Sequence, residues 1–158
     1  MNYRTMLNRA LFICVLVAWS LEATASTTAE EITPASFEAS SDDGNIADNV
    51  FDNDFSTRWS ALGSGEKLTI NLGAQYNVTE VHTAWFKGDE RQSLYQIQIS
   101  DDATHWLTVI DNSSSGESLG LESNSINDSG RYLRIIGLGN DSNGWNSITE
   151  IEIIGFAE

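Results

Sequence analysis

Lys67-Leu68-Thr69-Ile70-Asn71-Leu72 alternates without a break, with Leu68, Ile70 and Leu72 on one face and Lys67, Thr69 and Asn71 on the other. A period of two is the signature of a strand with one buried and one wetted face. The pattern extends in both directions. Val78 to Phe86 is rich in β-branched and aromatic residues. Leu94 to Ser100 sets Tyr95, Ile97 and Ile99 against Gln96 and Gln98, and His105 to Ile110, Tyr132 to Ile136 and Ile148 to Ile154 follow. Gly, Asn, Asp and Ser punctuate the gaps. No stretch keeps a helical period between caps. This predicts a single all-β domain, an antiparallel β-sandwich with no internal repeat and no linker.

The domain is expected over residues 32–158, behind a processed N-terminus. Arg4 and Arg9 form a basic start, residues 10–21 (ALFICVLVAWSL) are apolar, and Ala23-Thr24-Ala25 supplies small residues before a cut near Ala25. This is the layout of a signal peptide (1–25), and the run falls short of the about 20 apolar residues of a membrane span. Secretion, or delivery to a periplasm, is the expectation. Residues 26–31, STTAEE, are expected to be a flexible lead-in. The only cysteine, Cys14, lies in the apolar run, so the exported domain has no disulfide to draw on.

The chain has 158 residues, with 23 Asp and Glu against 8 Lys and Arg, for a formal charge of −15. That balance excludes a nucleic-acid partner, which needs a basic stripe. It also argues against anionic lipid, and no membrane insertion is expected. At 41% apolar residues the chain can bury a core.

Two acidic stretches stand out. In Asn49-Val50-Phe51-Asp52-Asn53-Asp54-Phe55-Ser56-Thr57-Arg58-Trp59, Asp52, Asp54 and Thr57 place hard oxygens on a tight turn. Such oxygens suit calcium, but they equally suit a solvated Asx turn. Asn53 is a candidate for positive φ. In Asn140-Asp141-Ser142-Asn143-Gly144-Trp145-Asn146-Ser147-Ile148-Thr149-Glu150-Ile151, Glu150 sits within an apolar run. A carboxylate buried there needs a partner.

Several motifs recur in a fixed order: Asn49-x-x-Asp52-x-Asp54-x-x-Thr57-Arg58-Trp59, Asn71-Leu72-Gly73, Ser100-Asp101-x-x-x-x-Trp106, Arg131-Tyr132-x-Arg134 and Ile148-Thr149-Glu150-Ile151. Together they resemble the discoidin, or coagulation factor type C, domain. The nearest subgroup is the family 32 carbohydrate-binding modules attached to alginate and other polysaccharide lyases. Trp85-Phe86-Lys87-Gly88-Asp89-Glu90-Arg91 and Gly137-Leu138-Gly139-Asn140 carry that finer resemblance. It implies an eight-stranded jelly-roll and a structural calcium. Its ligands would be the Asn49 carbonyl, the Asp52 carboxylate, the Asp54 carbonyl, Thr57, the Thr149 carbonyl and the Glu150 carboxylate. Asn53 stands where the family usually has Gly.

A sugar site joins an aromatic platform to a few fixed hydrogen-bonding groups. The resemblance places Trp59 and Trp106 in the core. That leaves Trp85, at a strand end, and Trp145, in a polar loop, as platforms or as packing residues. Lys87 and Arg91 lie four apart beside Trp85. They suit the carboxylate of a uronate, and equally suit salt bridges to Asp89 or Glu90. Asn140 can read hydroxyls or build its turn.

The function expected is a secreted, non-catalytic carbohydrate-binding module or lectin for an extracellular polysaccharide, with an alginate-like uronate polymer as the candidate ligand. A polysaccharide-degrading enzyme is the expected neighbour. The competing expectation is an adhesion module for a protein or cell surface. An enzyme is disfavoured: Asp101 and Asp102 are adjacent and point apart, and no nucleophile–His pairing stands out.

Overall fold

The computed structural model describes residues 28–158. The predicted signal peptide lies outside them. Eight antiparallel strands make up the fold: β1 (Glu30–Glu31), β2 (Ser36–Ala39), β3 (Trp59–Leu62), β4 (Glu66–Trp85), β5 (Ser93–Ser100), β6 (Leu107–Ser113), β7 (Glu122–Asn140) and β8 (Trp145–Ala157). The helical element among them is one 3-10 turn, Ala47–Val50. No described helix is long and apolar enough to cross a membrane.

The antiparallel pairing agrees with the alternation, and the strand count with the family resemblance. The strand lengths do not. Lys67–Leu72 and Val78–Phe86 were expected as two strands, yet both lie in the 20-residue β4. Register shifts between Asn71 and Tyr76 and between Val78 and Glu80 bend it. Bulges of this kind turn a strand from one layer into another. The first half of β4 pairs with β2 and with Tyr132–Gly137 of β7, whose other edge carries β5 and β6. The second half pairs with β8 and with Glu122–Gly130 of β7. The hydrogen-bonded path is continuous, but the chain packs as a sandwich.

Between the layers, Leu68, Ile70, Leu72, Ile97, Ile99, Leu133 and Ile135 meet Val78, Val81, Trp85, Ile148, Ile151 and Ile153, all nearly fully buried. At ~25 cal/mol per Å² of apolar area, this burial is the main favourable term of folding. The lead-in 26–31 is not loose throughout. Glu30 and Glu31 pair with Gly155 and Ile154, and the Ile32 amide donates to the Ile153 carbonyl at 2.7 Å. Backbone pairing to a sheet edge needs no apolar side chain, so the polar sequence concealed it.

Candidate functional site

Phe86 is the first residue beyond β4 and continues its alternation: Thr83 and Trp85 point inward, so Phe86 points out. The Arg58 guanidinium carbon lies 4.2 Å from the Phe86 ring centre, and that of Arg91 lies 5.7 Å away. Around them, Asp43, Ser60, Trp145 and Ser147 complete a cleft of about 230 Å³.

Its polar groups are held from behind. Arg58 Nε donates to Ser60 Oγ at 2.9 Å, and Ser60 Oγ meets Ser147 Oγ at 2.9 Å. The Phe86 amide donates to the Ser147 carbonyl at 3.1 Å. The Asn45 amide groups bonded to Asp43, with the Arg58 charge beside it, hold the Asp43 carboxyl below its usual range. Arg91 differs. Its Nε is buried and has no hydrogen-bond partner. An orphaned guanidinium N–H in a cleft is a group prepared for an acceptor supplied from outside.

Arg91 is positioned by a tight loop. Its amide donates to the Lys87 carbonyl, and Gly88 donates to the Trp85 carbonyl at 2.9 Å. A side chain at Gly88 would run into the Ser118 carbonyl, so only glycine closes this turn.

The structure corrects several expected binders. Trp85 is 1% exposed, its ring packs 4.8 Å from Tyr95, and its Nε1 donates to Thr83 Oγ1. It is a core residue, because strand parity turns it inward, and Phe86 takes the place at the surface. Lys87 lies outside the cleft. Its Nζ pairs with Glu90 Oε2 at 3.0 Å. Replacing Lys87 by alanine is expected to change glycan affinity by less than about twofold, since an exposed pair contributes little; isothermal titration checks this. Asn140 is 8% exposed and spent on its own loop. It donates to the Trp145 carbonyl at 2.8 Å and to Asn143 Oδ1 at 2.9 Å, and its Oδ1 receives the Ser142 and Asn143 amides. Its role is to position Trp145, which does line the cleft.

Trp59 is buried as expected, with its Nε1 on the Ser41 carbonyl. Trp106 is not. It is only half-buried and lies over Arg134, on the sheet surface. Phe86 and Ser147 were not expected in the site. The outward parity of Phe86 was the signal that pointed to it.

The second cluster lies on the loop after the 3-10 turn. Thr57 Oγ1 sits 2.7 Å from Asp52 Oδ2, 3.0 Å from the Asp54 carbonyl and 3.3 Å from the Asn49 carbonyl. Asn53 takes φ 59°, the left-handed turn its type allows. The Asp54 carboxylate is bonded to the Ser56 amide and hydroxyl, leaving its carbonyl to face Thr57. From β8, Glu150 is 3% exposed, and its Oε2 has no partner. Burial, with the Asp52 charge nearby, pushes its carboxyl up to about 7. Thr149 is skipped in the pairing of β8 with β4.

Among the described residues no group of three or more Asp, Glu, His or Cys converges on one point. The oxygens that would hold a cation here are two carboxylates, backbone carbonyls and a hydroxyl. These are all hard oxygens, the chemistry calcium takes, and the orphaned Glu150 oxygen fits a cation.

A β-sandwich that gathers an aromatic ring, two guanidiniums without an ion pair among the described residues, and hydroxyls in a small cleft at its loops is a ligand-binding domain. The F5/8 type C domain pattern matches residues 22–151. A family 32 carbohydrate-binding module of AlyQ, solved in complex with 4,5-unsaturated mannuronic acid, is 42% identical over 78% of this chain and 97% of that one, with a TM-score of 0.77. A truncated AlyQ holding such a module and alginate lyase domains is 40% identical over 84% of this chain and 35% of that one, with a TM-score of 0.78. A pectin-binding carbohydrate-binding module is 25% identical over 77% of this chain and 91% of that one, with a TM-score of 0.74. A search of curated protein sequences gave no match. The chain belongs to the F5/8 type C domain family, and within it to the family 32 carbohydrate-binding modules.

Proposed function

We propose that this chain is an exported, non-catalytic module that holds the carboxylate of a uronic acid sugar in the Arg58–Phe86–Arg91 cleft. The observation that carries this reading is the buried, partnerless Nε of Arg91 in that cleft. A sugar carboxylate supplies the missing acceptor, and Arg58 adds a second positive charge. Phe86 and Trp145 meet the C–H face of the pyranose, and Ser60 and Ser147 read its hydroxyls. The ligand of the AlyQ module, an unsaturated mannuronic acid, supports the acidic class.

A cleft of about 230 Å³ takes a single sugar residue. It is smaller than the ~300–1,000 Å³ of sites for drug-sized ligands. Binding is therefore weak, in a range where a Kd of ~1 mM corresponds to about −4 kcal/mol. A module of this kind serves by holding a polysaccharide-degrading enzyme near its polymer, as the alginate lyase domains joined to the AlyQ module suggest. A calcium ion at Asn49, Asp52, Asp54, Thr57, Thr149 and Glu150 has a structural role in this reading. It would fasten the early loop to β8 and neutralise Glu150.

The test is affinity electrophoresis of the domain, with calcium, in gels holding alginate, neutral galactan or no polysaccharide. Retardation by alginate and not by galactan is expected. Retardation by galactan alone would remove the carboxylate clamp, and free migration in alginate would overturn the reading.

A further inference from the structure

Arg58, Lys67, Arg91, Arg131 and Arg134 make no ion pair among the described residues; of the lysines and arginines there, only Lys87 does. None of these five is held in contact by a carboxylate of the fold, although the chain carries a charge of −15. Arg58 and Arg91 belong to the cleft. Lys67 and Arg134 lie on the outer face of the layer formed by β2, β4, β7, β5 and β6, opposite in parity to the buried Leu68, Leu133 and Ile135, and Arg131 reaches that face through its bond to Asn71.

That face is ordered into rows by register. Glu38, Thr69, Arg134, Gln98 and Thr108 lie side by side across all five strands. Arg134 Nε donates to Gln98 Oε1 at 2.6 Å, and Gln98 Nε2 donates to Thr108 Oγ1 at 2.9 Å. In the next row Tyr132 neighbours Asn71, whose Oδ1 receives Arg131 Nε at 3.1 Å.

Two half-buried aromatic rings sit on this polar ground. Trp106 lies 4.1 Å from the Arg134 guanidinium carbon, with its indole N–H held by the Ala103 carbonyl at 3.0 Å. Tyr132 has Arg131 at 5.3 Å. Both rings are fixed by cations, which removes the ordering cost a platform otherwise incurs on binding. A hollow of about 250 Å³ opens beside them, lined by Ser36, Glu38, Thr69, Asn71, Ala103 and Tyr132.

We infer that this sheet face is a second glycan surface, on which an acidic polysaccharide chain lies across the strands. Lys67, Arg131 and the free ends of Arg134 meet its carboxylates, Trp106 and Tyr132 stack on its rings, and Glu38 accepts from hydroxyls at the rim. Asp111 on the same face accepts from Gln96 Nε2 at 3.0 Å and keeps its charge. The local cations Lys67, Arg131 and Arg134 are what selects an acidic polymer here, against the chain's overall charge of −15 and the Glu38 and Asp111 carboxylates on the same face. The proposal shares its ligand class with the cleft but rests on different residues. It would make one domain bivalent, with the small cleft gripping one sugar and the sheet gripping a length of chain. Linked weak sites raise retention on a polymer without either becoming tight.

The test is amide chemical-shift mapping of the ¹⁵N-labelled domain with a mannuronate tetrasaccharide. Shifts are expected at Thr69, Gln98, Tyr132 and Arg134 as well as around the cleft. A doubly substituted domain, Lys67→Ala with Arg131→Ala, is expected to lose the sheet-face shifts while the cleft shifts persist. Shifts confined to the cleft would overturn this inference and leave the cleft reading standing. Shifts confined to the sheet would do the reverse, and none anywhere would overturn both. Sheet-face shifts that survive the double substitution, or that appear equally with a neutral cello-tetrasaccharide, would overturn the acidic assignment.

Discussion

Arg91→Ala is expected to abolish measurable binding of a short uronate oligosaccharide while leaving the melting temperature within a few degrees of the parent. The two halves of this expectation have one cause. The buried Nε of Arg91 has no partner in the protein, so its removal strands no acceptor. The side chain does cover part of Phe86, which accounts for a small loss of packing. In the complex, the same N–H would face a carboxylate in a partly desolvated cleft. Truncating one member of such a pair costs about 2–5 kcal/mol, or at least a tenfold loss at ~1.4 kcal/mol per decade. For a module that binds weakly at the outset, that loss removes the signal from a titration. Arg91→Lys separates geometry from charge. Lysine keeps the positive charge but lacks the planar fork, so partial binding is expected. Undiminished binding by Arg91→Ala would move the site elsewhere.

Chelation is expected to lower the melting temperature, and Glu150→Gln is expected to remove that response. Without a cation, Glu150 is a buried carboxylate with an unpaired oxygen beside the Asp52 charge. Its carboxyl is raised from 4.5 to about 7 in the fold. The folded state therefore binds the extra proton between these values, and the stability of the metal-free protein falls as pH rises through that window. The shift corresponds to ~3 kcal/mol as an order of magnitude at ~1.4 kcal/mol per pH unit. Calcium would reverse this penalty above pH 7 and add its own linkage, about 2.7 kcal/mol at a hundred times its Kd. The glutamine variant carries no charge to neutralise. In EDTA at pH 8 it is expected to melt at or above the wild-type temperature, and to gain little from calcium. Thermal melts of both proteins with EDTA and with calcium decide the matter. A wild type indifferent to EDTA, or a variant that still gains from calcium, would contradict the assignment.

The Asn49–Thr57 loop was more legible in the sequence than the Arg58–Phe86–Arg91 cleft. Asp52, Asp54 and Thr57 act within a few residues of one another, so their spacing nearly specifies the turn, and Asn53 takes the positive φ its side chain tolerates. Glu150 was legible for another reason: a carboxylate inside an apolar strand calls for compensation wherever that strand lies. The cleft draws on Asp43, Arg58, Phe86, Arg91 and Trp145, which come from separate loops. Sequence proximity grouped Trp85 with Lys87 and Arg91, but a strand turns alternate residues to opposite faces. Phe86 therefore reached the surface in place of Trp85. Lys87, four residues from Arg91, found Glu90 instead.

By itself the sequence determined the all-β class, the antiparallel alternation, the core face of the cleanly alternating strands, the acidic character and the tight Asp52–Thr57 turn. Each of these follows from residue type at short range, through the period of two and the geometry of tight turns. The tertiary structure alone decided which cations stay unpaired, which tryptophans reach the surface, and that β4 bends through both layers. Those outcomes depend on which residues long-range pairing brings within a few ångströms. Bulges set that pairing, and a shift of one residue in register exchanges the buried and exposed faces.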